Sequence, residues 1–319
     1  MRLINKLNRL LVFVKTFIGY LSYKVSKKKN LKTIGVISSP RGGSTWLGEM
    51  LSEGKKSIFI DEPLFVNSHK RLKTVGITWD PHLENNQSKN HLCFFKDLFS
   101  LRFFHWRPLV KNKISKFLFT DKLVFKFVNA NLLLEYFVSN FKDEKFIYLV
   151  RNPYALVSSQ LNHKGWLWVQ NETSMKIPEH LSHLDCFEDM KDVKLHNLQP
   201  EQVLIFHWCL TNKPVISSVN NNKKWLTVTY ENLIEDNSSD LQRIREYINE
   251  KKKLNTDIIS SSTKNNAAEE IKLGKQLNKW KSKLSKDQIV GMQEILRLFD
   301  FEVYDIDSGL PKLNTIYNK

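Results

Sequence analysis

The chain has 319 residues, of which 41% are hydrophobic and 12% aromatic, so a disordered protein is excluded and one large α/β domain or two small ones can form. The net charge of +16 predicts an anionic partner, and charge alone leaves open a phosphorylated cofactor, an acidic glycan, an anionic membrane or a nucleic acid. Three cysteines, far apart in the chain, have neither zinc-site spacing nor the pattern of a disulfide framework and favour a reducing compartment.

The first 30 residues form a basic amphipathic segment. Apolar residues recur at three- and four-residue intervals from Leu3 to Val25, with arginines and lysines between them, which predicts a helix. The stretch from Leu10 to Leu21 contains Lys15 and is too short to span a bilayer unaided. Three interpretations stay open: peripheral contact of residues 1–25 with an anionic membrane, packing on the domain or on another copy, and, less favoured, a signal anchor.

A buried strand is predicted at residues 34–37, where β-branched residues dominate. Gly42 and Gly43 follow, and they permit backbone angles that other residues resist. Ser44 and Thr45 are then predicted to cap a helix. The pattern therefore predicts a strand, a glycine turn and a helix start in direct succession.

This turn is a candidate anion site. The start of the helix directs free amide groups and the positive end of its dipole into the turn, and Arg41 adds a full charge, which suits a phosphate. The alternative is an ordinary loop with a solvent-facing arginine. The turn lacks the lysine of the Walker A motif, which argues against a nucleoside triphosphatase.

Acidic residues follow the next predicted strand, at residues 57–60. Asp61 and Glu62 would lie at the rim where α/β sheets place their chemistry. Residues 64–116 mix turn-forming, aromatic and basic residues. They predict an insertion with short helices that covers the substrate.

Two further predicted strands are followed by basic or polar residues. The strand at residues 123–126 ends on Lys126, and Asn129 is predicted to cap the helix that follows. The clearest buried strand covers residues 145–150, and Arg151 comes directly after it. Alternating strands and helices of this kind imply parallel pairing with right-handed crossovers.

Residues 165–200 predict a second irregular insertion, in which Trp166 and Trp168 could wall a flat substrate. The insertion also contains four potential metal ligands: His180, His183, Asp185 and Cys186. Because no second coherent pair accompanies them, a metal site is not expected.

The remaining elements complete one domain. Helices are predicted at residues 201–219, 240–249, 267–284 and 286–299, and a last strand is predicted at residues 225–230. No proline- or glycine-rich linker divides the chain from residue 31 onward, so a single domain of residues 31–319 is expected after the helix of residues 1–30. The predicted class is α/β, a three-layer P-loop-like fold with a central parallel sheet flanked by helices.

Arg151 follows its strand as Arg41 follows its own. A helix is predicted after Arg151, with Pro153 in its first turn. Ser159 lies eight residues after Arg151 and can share a face with the start of this helix, so both side chains could hold one phosphate. Two such arrangements on one parallel sheet call for a ligand with two separated anionic ends.

These motifs resemble those of sulfotransferases that use 3′-phosphoadenosine 5′-phosphosulfate (PAPS). Residues 40–47, Pro-Arg-Gly-Gly-Ser-Thr-Trp-Leu, look like the 5′-phosphosulfate loop of that family, and residues 151–159 resemble its 3′-phosphate motif. The Tyr-Glu-Asn-Leu segment at residues 230–233 is similar to a Tyr-Glu-Asp-Leu segment of the family, and the resemblance spans about residues 31–305. Two positions depart from it: Gly42 replaces the usual serine, and Asn152 replaces the usual aspartate.

The resemblance implies transfer of a sulfonate group from PAPS to an acceptor hydroxyl, without a metal. Glu62 is the implied base, because its Asp-Glu-Pro-Leu segment resembles one in carbohydrate sulfotransferases of the membrane-type branch, which also includes tyrosylprotein sulfotransferases. Asp61 is the second candidate, and a rim carboxylate paired with a lysine is the structural alternative. Lys126 would neutralise the leaving oxygen or the transferring sulfonate.

The implied cofactor contacts fall into two groups. The 5′-phosphosulfate would be bound by the loop residues Arg41, Gly42, Gly43, Ser44, Thr45 and Trp46. The 3′-phosphate would be bound by Arg151 and Ser159. Ser262 and Lys264 lie where the family often closes over the cofactor.

The Asp-Glu-Pro-Leu segment, the aromatic insertions and the N-terminal helix together favour a hydroxyl on a glycan or glycolipid as the acceptor. Two alternatives remain: a P-loop-type kinase using ATP, and a non-enzymatic basic protein on a membrane or nucleic acid. No recognisable nucleic-acid motif is present, so nucleic acid is not an expected partner. Lysine- and asparagine-rich usage and the lack of a convincing signal predict a bacterial cytoplasmic enzyme, free or peripheral at the membrane, rather than a Golgi-type anchored one.

Overall fold

The computed structural model describes residues 2–26, 31–66, 68–84, 89–234, 239–256 and 277–317. The strands of this part of the chain are β1 (Lys32–Ser38), β2 (Ser57–Asp61), β3 (Lys122–Val128), β4 (Lys145–Val150), β5 (Met175–Lys176), β6 (Lys194–Leu195) and β7 (Leu226–Thr229). Five of them form a parallel sheet in the order β2-β3-β1-β4-β7, and β5 pairs with β6 in a separate antiparallel ribbon. All five carboxyl ends of the main sheet therefore lie along one edge, where α/β folds place their ligands.

The helices of the first half of the chain are α1 (Arg2–Val25), α2 (Ser44–Leu51), α3 (Lys70–Thr74), α4 (Lys89–Phe99), α5 (Trp106–Leu109), α6 (Ile114–Leu118) and α7 (Leu134–Asn140). Those of the second half are α8 (Pro153–Leu161), α9 (Pro200–Ile216), α10 (Tyr230–Leu233), α11 (Ser239–Tyr247), α12 (Lys286–Leu298) and α13 (Leu313–Ile316). Short 3₁₀ segments also occur, including Asn131–Leu133 and Lys279–Ser282.

Helices cover both faces of the sheet. Alternate residues of a strand point to opposite faces, and β4 shows this directly: Tyr148 belongs to one buried apolar cluster and Ile147 to the other. The smaller cluster includes Leu47 of α2 and Ile244 of α11, whereas the larger one includes α4, α7, α8, α9 and α12. The α/β prediction is confirmed, with a central parallel sheet between two helical layers.

Helix α1 packs on the rest of the chain through one face. Gly19 lies so close to α6 that a Cβ atom there would be 2.7 Å from the ring of Phe117. The buried Tyr20 donates a hydrogen bond to the carbonyl oxygen of Arg102, and Phe17 packs edge-on against Phe104. Across the described ranges, no helix is both long enough and apolar enough to cross a bilayer.

The structure corrects three details of the sequence prediction. Gly43, not Ser44 or Thr45, is the N-cap of α2, and no side chain caps that helix. Asn129 does not cap a long helix, since a 3₁₀ turn at Asn131–Leu133 precedes α7. Strand β3 continues two residues past Lys126, which therefore lies inside the strand instead of at its end.

The helices predicted near the C-terminus fall only partly within the described residues. The helix predicted at residues 286–299 is present as α12, whereas most of the helix predicted at residues 267–284 lies outside the described residues. Its described end contains the 3₁₀ turn at Lys279–Ser282. Ser262 and Lys264 also lie outside the described residues.

Candidate active site

The loop between β1 and α2 requires glycine at two positions. A Cβ atom on Gly42 would lie 2.1 Å from Oγ of Ser38, so the serine that is usual in the resembling family would not fit here without a shift. Gly43 has φ +95°, in the left-handed region that favours glycine, and a Cβ atom there would lie 2.5 Å from the ring of Tyr230. This tight turn leaves the first amide groups of α2 without a side-chain cap, as an anion site requires.

Three of the predicted ligand-binding residues meet beside this loop. Nε of Arg41 donates a hydrogen bond to Oγ of Ser159 at 3.1 Å, and Nη1 of Arg151 donates to the carbonyl oxygen of Arg41 at 2.7 Å. Burial and the neighbouring positive charge of Arg151 lower the pKa of Arg41. Nε of Arg151 is buried and has no hydrogen-bond partner among the described residues. Two guanidinium groups brought this close together favour binding of an anion.

Tyr230 supports this pair of arginines. Its ring lies 4.6 Å from Cζ of Arg151, which is cation–π geometry, and it packs edge-on against Trp46 at 6.0 Å. The side chain of Trp46 is itself buried with the smaller apolar cluster. Sequence analysis named Tyr230 only as part of a four-residue motif. It could not predict the contact with the glycine loop, because almost 200 residues separate Tyr230 from that loop in the chain.

Asn152 and Glu231 hold the end of β4 in place. The carboxamide oxygen of Asn152 accepts hydrogen bonds from the first amides of α8, while its Nδ2 donates to the carbonyl oxygen of Gly309 at 2.9 Å. An ionised aspartate could cap the helix but could not make the second bond. Glu231 accepts from the backbone N–H of Asn152 and from the hydroxyl of Tyr304, both at 2.9 Å. Burial raises the pKa of Glu231, and its two hydrogen bonds tie the end of β4 to Tyr304.

A buried polar network supports the loop from beneath. Asn131 and Asn212 donate hydrogen bonds to Oγ of Ser39 at 3.1 and 3.0 Å, and Tyr148 donates to the carboxamide oxygen of Asn212. Gln160 of α8 donates to the carbonyl oxygen of Pro40 at 3.2 Å. These contacts join β1, β4, α8 and α9, and sequence analysis identified none of them.

The second part of the site lies at the end of β2. Nζ of Lys126 donates to Oε1 of Glu62 at 2.6 Å and lies 3.0 Å from Oδ1 of Asp61. The parallel register pairs Asp61 with Lys126 across β2 and β3, which explains why these charges meet. Lys111, which sequence analysis did not single out, lies 2.7 Å from Oδ2 of Asp61.

The two acidic residues differ in environment. Burial alone would raise the pKa of Asp61, but the ammonium groups of Lys126 and Lys111 outweigh it and hold that pKa below its usual value. Burial would lower the pKa of Lys126, yet the two carboxylates raise it, so Lys126 stays cationic. The side chain of Glu62 is 34% exposed, against 20% for Asp61, so Glu62 is the more accessible of the two carboxylates.

The backbone at Glu62 is unusual. Its φ is +52°, a left-handed conformation that is uncommon for a residue other than glycine, and its N–H donates to the carbonyl oxygen of Lys126 at 3.0 Å. Such strain concentrates at functional sites, where the surrounding structure holds the residue in place. The observation singles out Glu62 within the acidic pair.

Both parts of the site lie on one edge of the sheet. The order of strands places the Glu62–Lys126 pair on β2 and β3, the glycine loop on β1, Arg151 on β4 and Tyr230 on β7. Neighbouring strands are about 4.8 Å apart, so roughly 10 Å separates β2 from β1. The edge therefore presents a cluster of cationic groups at the glycine loop beside a carboxylate–ammonium pair.

Comparison with known proteins identifies the family. The sulfotransferase domain family matches residues 31–300. The chain belongs to this family. No curated protein sequence matches the chain.

Solved structures that resemble this sulfotransferase are distant. The sulfotransferase domain from the curacin biosynthetic pathway is 17% identical with a TM-score of 0.47, covering 86% of this chain and 99% of that one. The domain from the Synechococcus PCC 7002 olefin synthase is 18% identical with a TM-score of 0.46, covering 88% and 97%. Mouse sulfotransferase SULT7A1 complexed with PAP is 14% identical with a TM-score of 0.40, covering 90% of each chain.

The family match establishes sulfonate transfer as the class of reaction and favours it over the kinase and non-enzymatic alternatives. The branch of the family, the donor and the acceptor stay predictions. Among the described residues, no group of three or more His, Cys, Asp or Glu side chains is arranged to hold a metal ion. The rings of His180 and His183 both lie near the ring of His82, at centroid distances of 6.5 and 5.7 Å.

Proposed function

We propose that this sulfotransferase uses PAPS as donor and transfers the sulfonate group to a hydroxyl on a glycan or glycolipid. The observation that carries the proposal is the meeting of Arg41, Arg151 and Ser159 beside a glycine loop whose helix start has no side-chain cap. A donor with a phosphosulfate at one end and a 3′-phosphate at the other suits two cationic groups on neighbouring strands.

The residues of the loop fit the donor. Gly42 and Gly43 allow the loop to pack closely on Ser38 and Tyr230, and the amides of Ser44 and Thr45 stand in the first turn of α2. Bound PAPS would supply the sulfonate group, with adenosine 3′,5′-bisphosphate (PAP) as the product. Arg41 and the loop amides would hold the 5′ end, and Arg151 with Ser159 would hold the 3′-phosphate.

Glu62 and Lys126 would act on the acceptor side. Glu62 would accept the proton of the acceptor hydroxyl, because it is the more exposed carboxylate and Asp61 is neutralised by two lysines. Lys126 would orient Glu62 through its 2.6 Å hydrogen bond and would stabilise negative charge that develops next to it.

Exposed aromatic rings near Glu62 support a sugar as the acceptor. Phe65 and Trp79 are 38% and 53% exposed and pack edge-on at 5.5 Å, and the backbone of Phe65 donates a hydrogen bond to the carbonyl oxygen of Glu62. Aromatic faces of this kind suit the apolar face of a sugar ring. We also propose a cytoplasmic enzyme that works at the membrane.

Calorimetry with PAP tests the donor assignment. Arg151→Ala is expected to weaken PAP binding at least about thirtyfold, because a charge-assisted contact to phosphate is lost. Arg297→Ala is the matched control, since Arg297 lies on α12 with a side chain that is 62% exposed. Binding of ATP with magnesium in preference to PAP, or undiminished PAP affinity in Arg151→Ala, would contradict the assignment.

Transfer from radiolabelled PAPS tests the base and the acceptor. Glycans, glycolipids and peptides are offered separately, and label is expected on a sugar hydroxyl. Glu62→Gln is expected to remove turnover and to leave PAP binding unchanged, whereas Glu246→Gln on α11 should change neither. Full activity of Glu62→Gln would show that Glu62 is not the base. Label on peptides alone would contradict the proposed glycan or glycolipid acceptor.

A further inference from the structure

Helix α1 exposes a continuous apolar stripe. Six of its side chains are between 44% and 82% exposed: Leu10, Leu11, Val14, Ile18, Leu21 and Val25. At 3.6 residues per turn these positions fall within a sector about 100° wide. The buried residues Thr16, Gly19, Tyr20 and Tyr23 lie on the opposite side of the helix. The stripe therefore faces away from the domain.

The helix that packs against α1 also ends in exposed apolar side chains. Leu118 and Phe119, directly after the Phe117 that packs on Gly19, are 45% and 64% exposed. Monomeric proteins rarely expose so many apolar side chains next to one another without a partner. Contacts of α1 with Arg102, α5 and α6 orient the stripe toward the outside of the domain.

Positive charge predominates in the chain segments that form α1 and the helices packed against it. Residues 1–30 contain eight lysines and arginines and no acidic residue, and residues 98–120 contain five and none. Lys15 and Lys24 stand on the two flanks of the stripe, and both are exposed. Lysines in such positions can extend to lipid headgroups while the apolar row enters the acyl boundary.

We propose that α1 is a docking surface for an anionic lipid bilayer, on which it lies parallel to the membrane plane. The stripe supplies apolar burial, and the flanking cations supply attraction to anionic headgroups. A second copy of the chain is a poorer occupant, because it would bring two surfaces of the same positive charge together.

Helix α1 is connected to the acceptor side of the site through α5 and α6. Helices α5 and α6 cover the free edge of β2, where Asn112 accepts a hydrogen bond from the N–H of Phe59 and donates one to its carbonyl oxygen. The adjacent Lys111 reaches Asp61, next to Glu62. If the proposed function holds, the docking helix packs on the elements that cover the strand whose end carries the base, and this favours an acceptor hydroxyl on a lipid-borne molecule.

Vesicle sedimentation of the full chain tests the docking. Wild type is expected to sediment with phosphatidylcholine vesicles that contain phosphatidylglycerol. The variant Leu11→Glu/Val14→Glu/Ile18→Glu should bind on the order of a hundredfold more weakly, because each lost apolar contact is worth about a factor of five. The matched control, Val219→Glu/Val290→Glu/Leu298→Glu, changes three exposed apolar residues elsewhere and should bind as wild type does.

The electrostatic part has its own test. Lys15→Gln/Lys24→Gln should weaken binding to the anionic vesicles about thirtyfold, at roughly a factor of five per cation, and should not affect binding to pure phosphatidylcholine. Equal sedimentation of wild type and the stripe variant would overturn the proposal. So would a dimer in sedimentation velocity that the stripe variant converts to monomer without any vesicle binding.

The two proposals fail separately. Unchanged unfolding midpoints show that the stripe variant folds, and unchanged PAP affinity shows that its donor site is intact. Vesicle binding without PAP binding would reject the proposed function and leave the docking surface standing. Vesicle binding with equal activity on water-soluble and vesicle-borne acceptors would reject the lipid-borne acceptor.

Discussion

Replacement of Gly43 by alanine tests the geometry of the anion loop. The left-handed backbone at φ +95° costs an alanine about 1 kcal/mol. The new Cβ atom would also lie 2.5 Å from the ring of Tyr230, and forcing an atom into a packed site costs roughly 1–3 kcal/mol more. We therefore expect Gly43→Ala to lower the free energy of unfolding by roughly 2–4 kcal/mol.

The matched control is Gly54→Ala. Gly54 has nearly the same φ, +94°, but no atom within 4 Å of the position of its Cβ, so only the backbone cost of about 1 kcal/mol should appear. Urea unfolding of both variants measures the difference. Because the displaced ring of Tyr230 lies against Arg151, calorimetry should also show about tenfold weaker PAP binding in Gly43→Ala, and none of this loss in Gly54→Ala. Equal unfolding free energies and equal PAP affinities in the two variants would refute the reasoning.

Three further predictions concern the acidic pair and the end of β4. Glu62→Gln should lower turnover by roughly 10²–10⁴-fold while PAP affinity in calorimetry stays unchanged, and a parallel loss of both would make Glu62 a structural residue. Asn152→Asp keeps the helix cap but loses the hydrogen bond to the carbonyl oxygen of Gly309, so urea unfolding should show a free energy of unfolding lower by roughly 1–3 kcal/mol. An unchanged free energy of unfolding would show that this hydrogen bond does not stabilise the fold. The pKa of Asp61 is depressed in the folded state, so its stabilisation is present above the unfolded pKa and is lost as pH falls through the folded pKa. Urea unfolding from neutral to acidic pH should therefore show a smaller loss of stability in Asp61→Asn than in wild type, and identical curves would contradict this.

Much of the fold follows from local patterns. The strand predicted at residues 145–150 agrees with β4, and the helix predicted after Arg151 is α8, because a continuous apolar run and Pro153 act on the chain within a few residues. The predicted glycine turn is also present, although its cap is Gly43. Serine and threonine are common caps, whereas here the turn places Gly43, in a left-handed conformation, at the cap position.

The candidate site shows the limit of such patterns more clearly. The motifs singled out Arg41, Arg151 and Ser159, and the structure adds that Nε of Arg41 reaches Ser159 itself. Lys111 gave no signal in the sequence, since a lysine in an irregular segment is usually a solvated surface residue. Only the packing of the segment that joins α5 and α6 against β2 brings it to Asp61.

The sequence by itself determined where the main strands and helices follow one another along the chain, and where the glycine turn lies, because these depend on backbone preferences over a few neighbouring positions. It also showed which residue types could bind an anion. Tertiary structure alone decided which of these residues meet. Parallel pairing sets Asp61 opposite Lys126, and crossover helices bring Tyr230 to Gly43. Contacts between residues far apart in the chain depend on how the layers pack, and no local pattern carries that information.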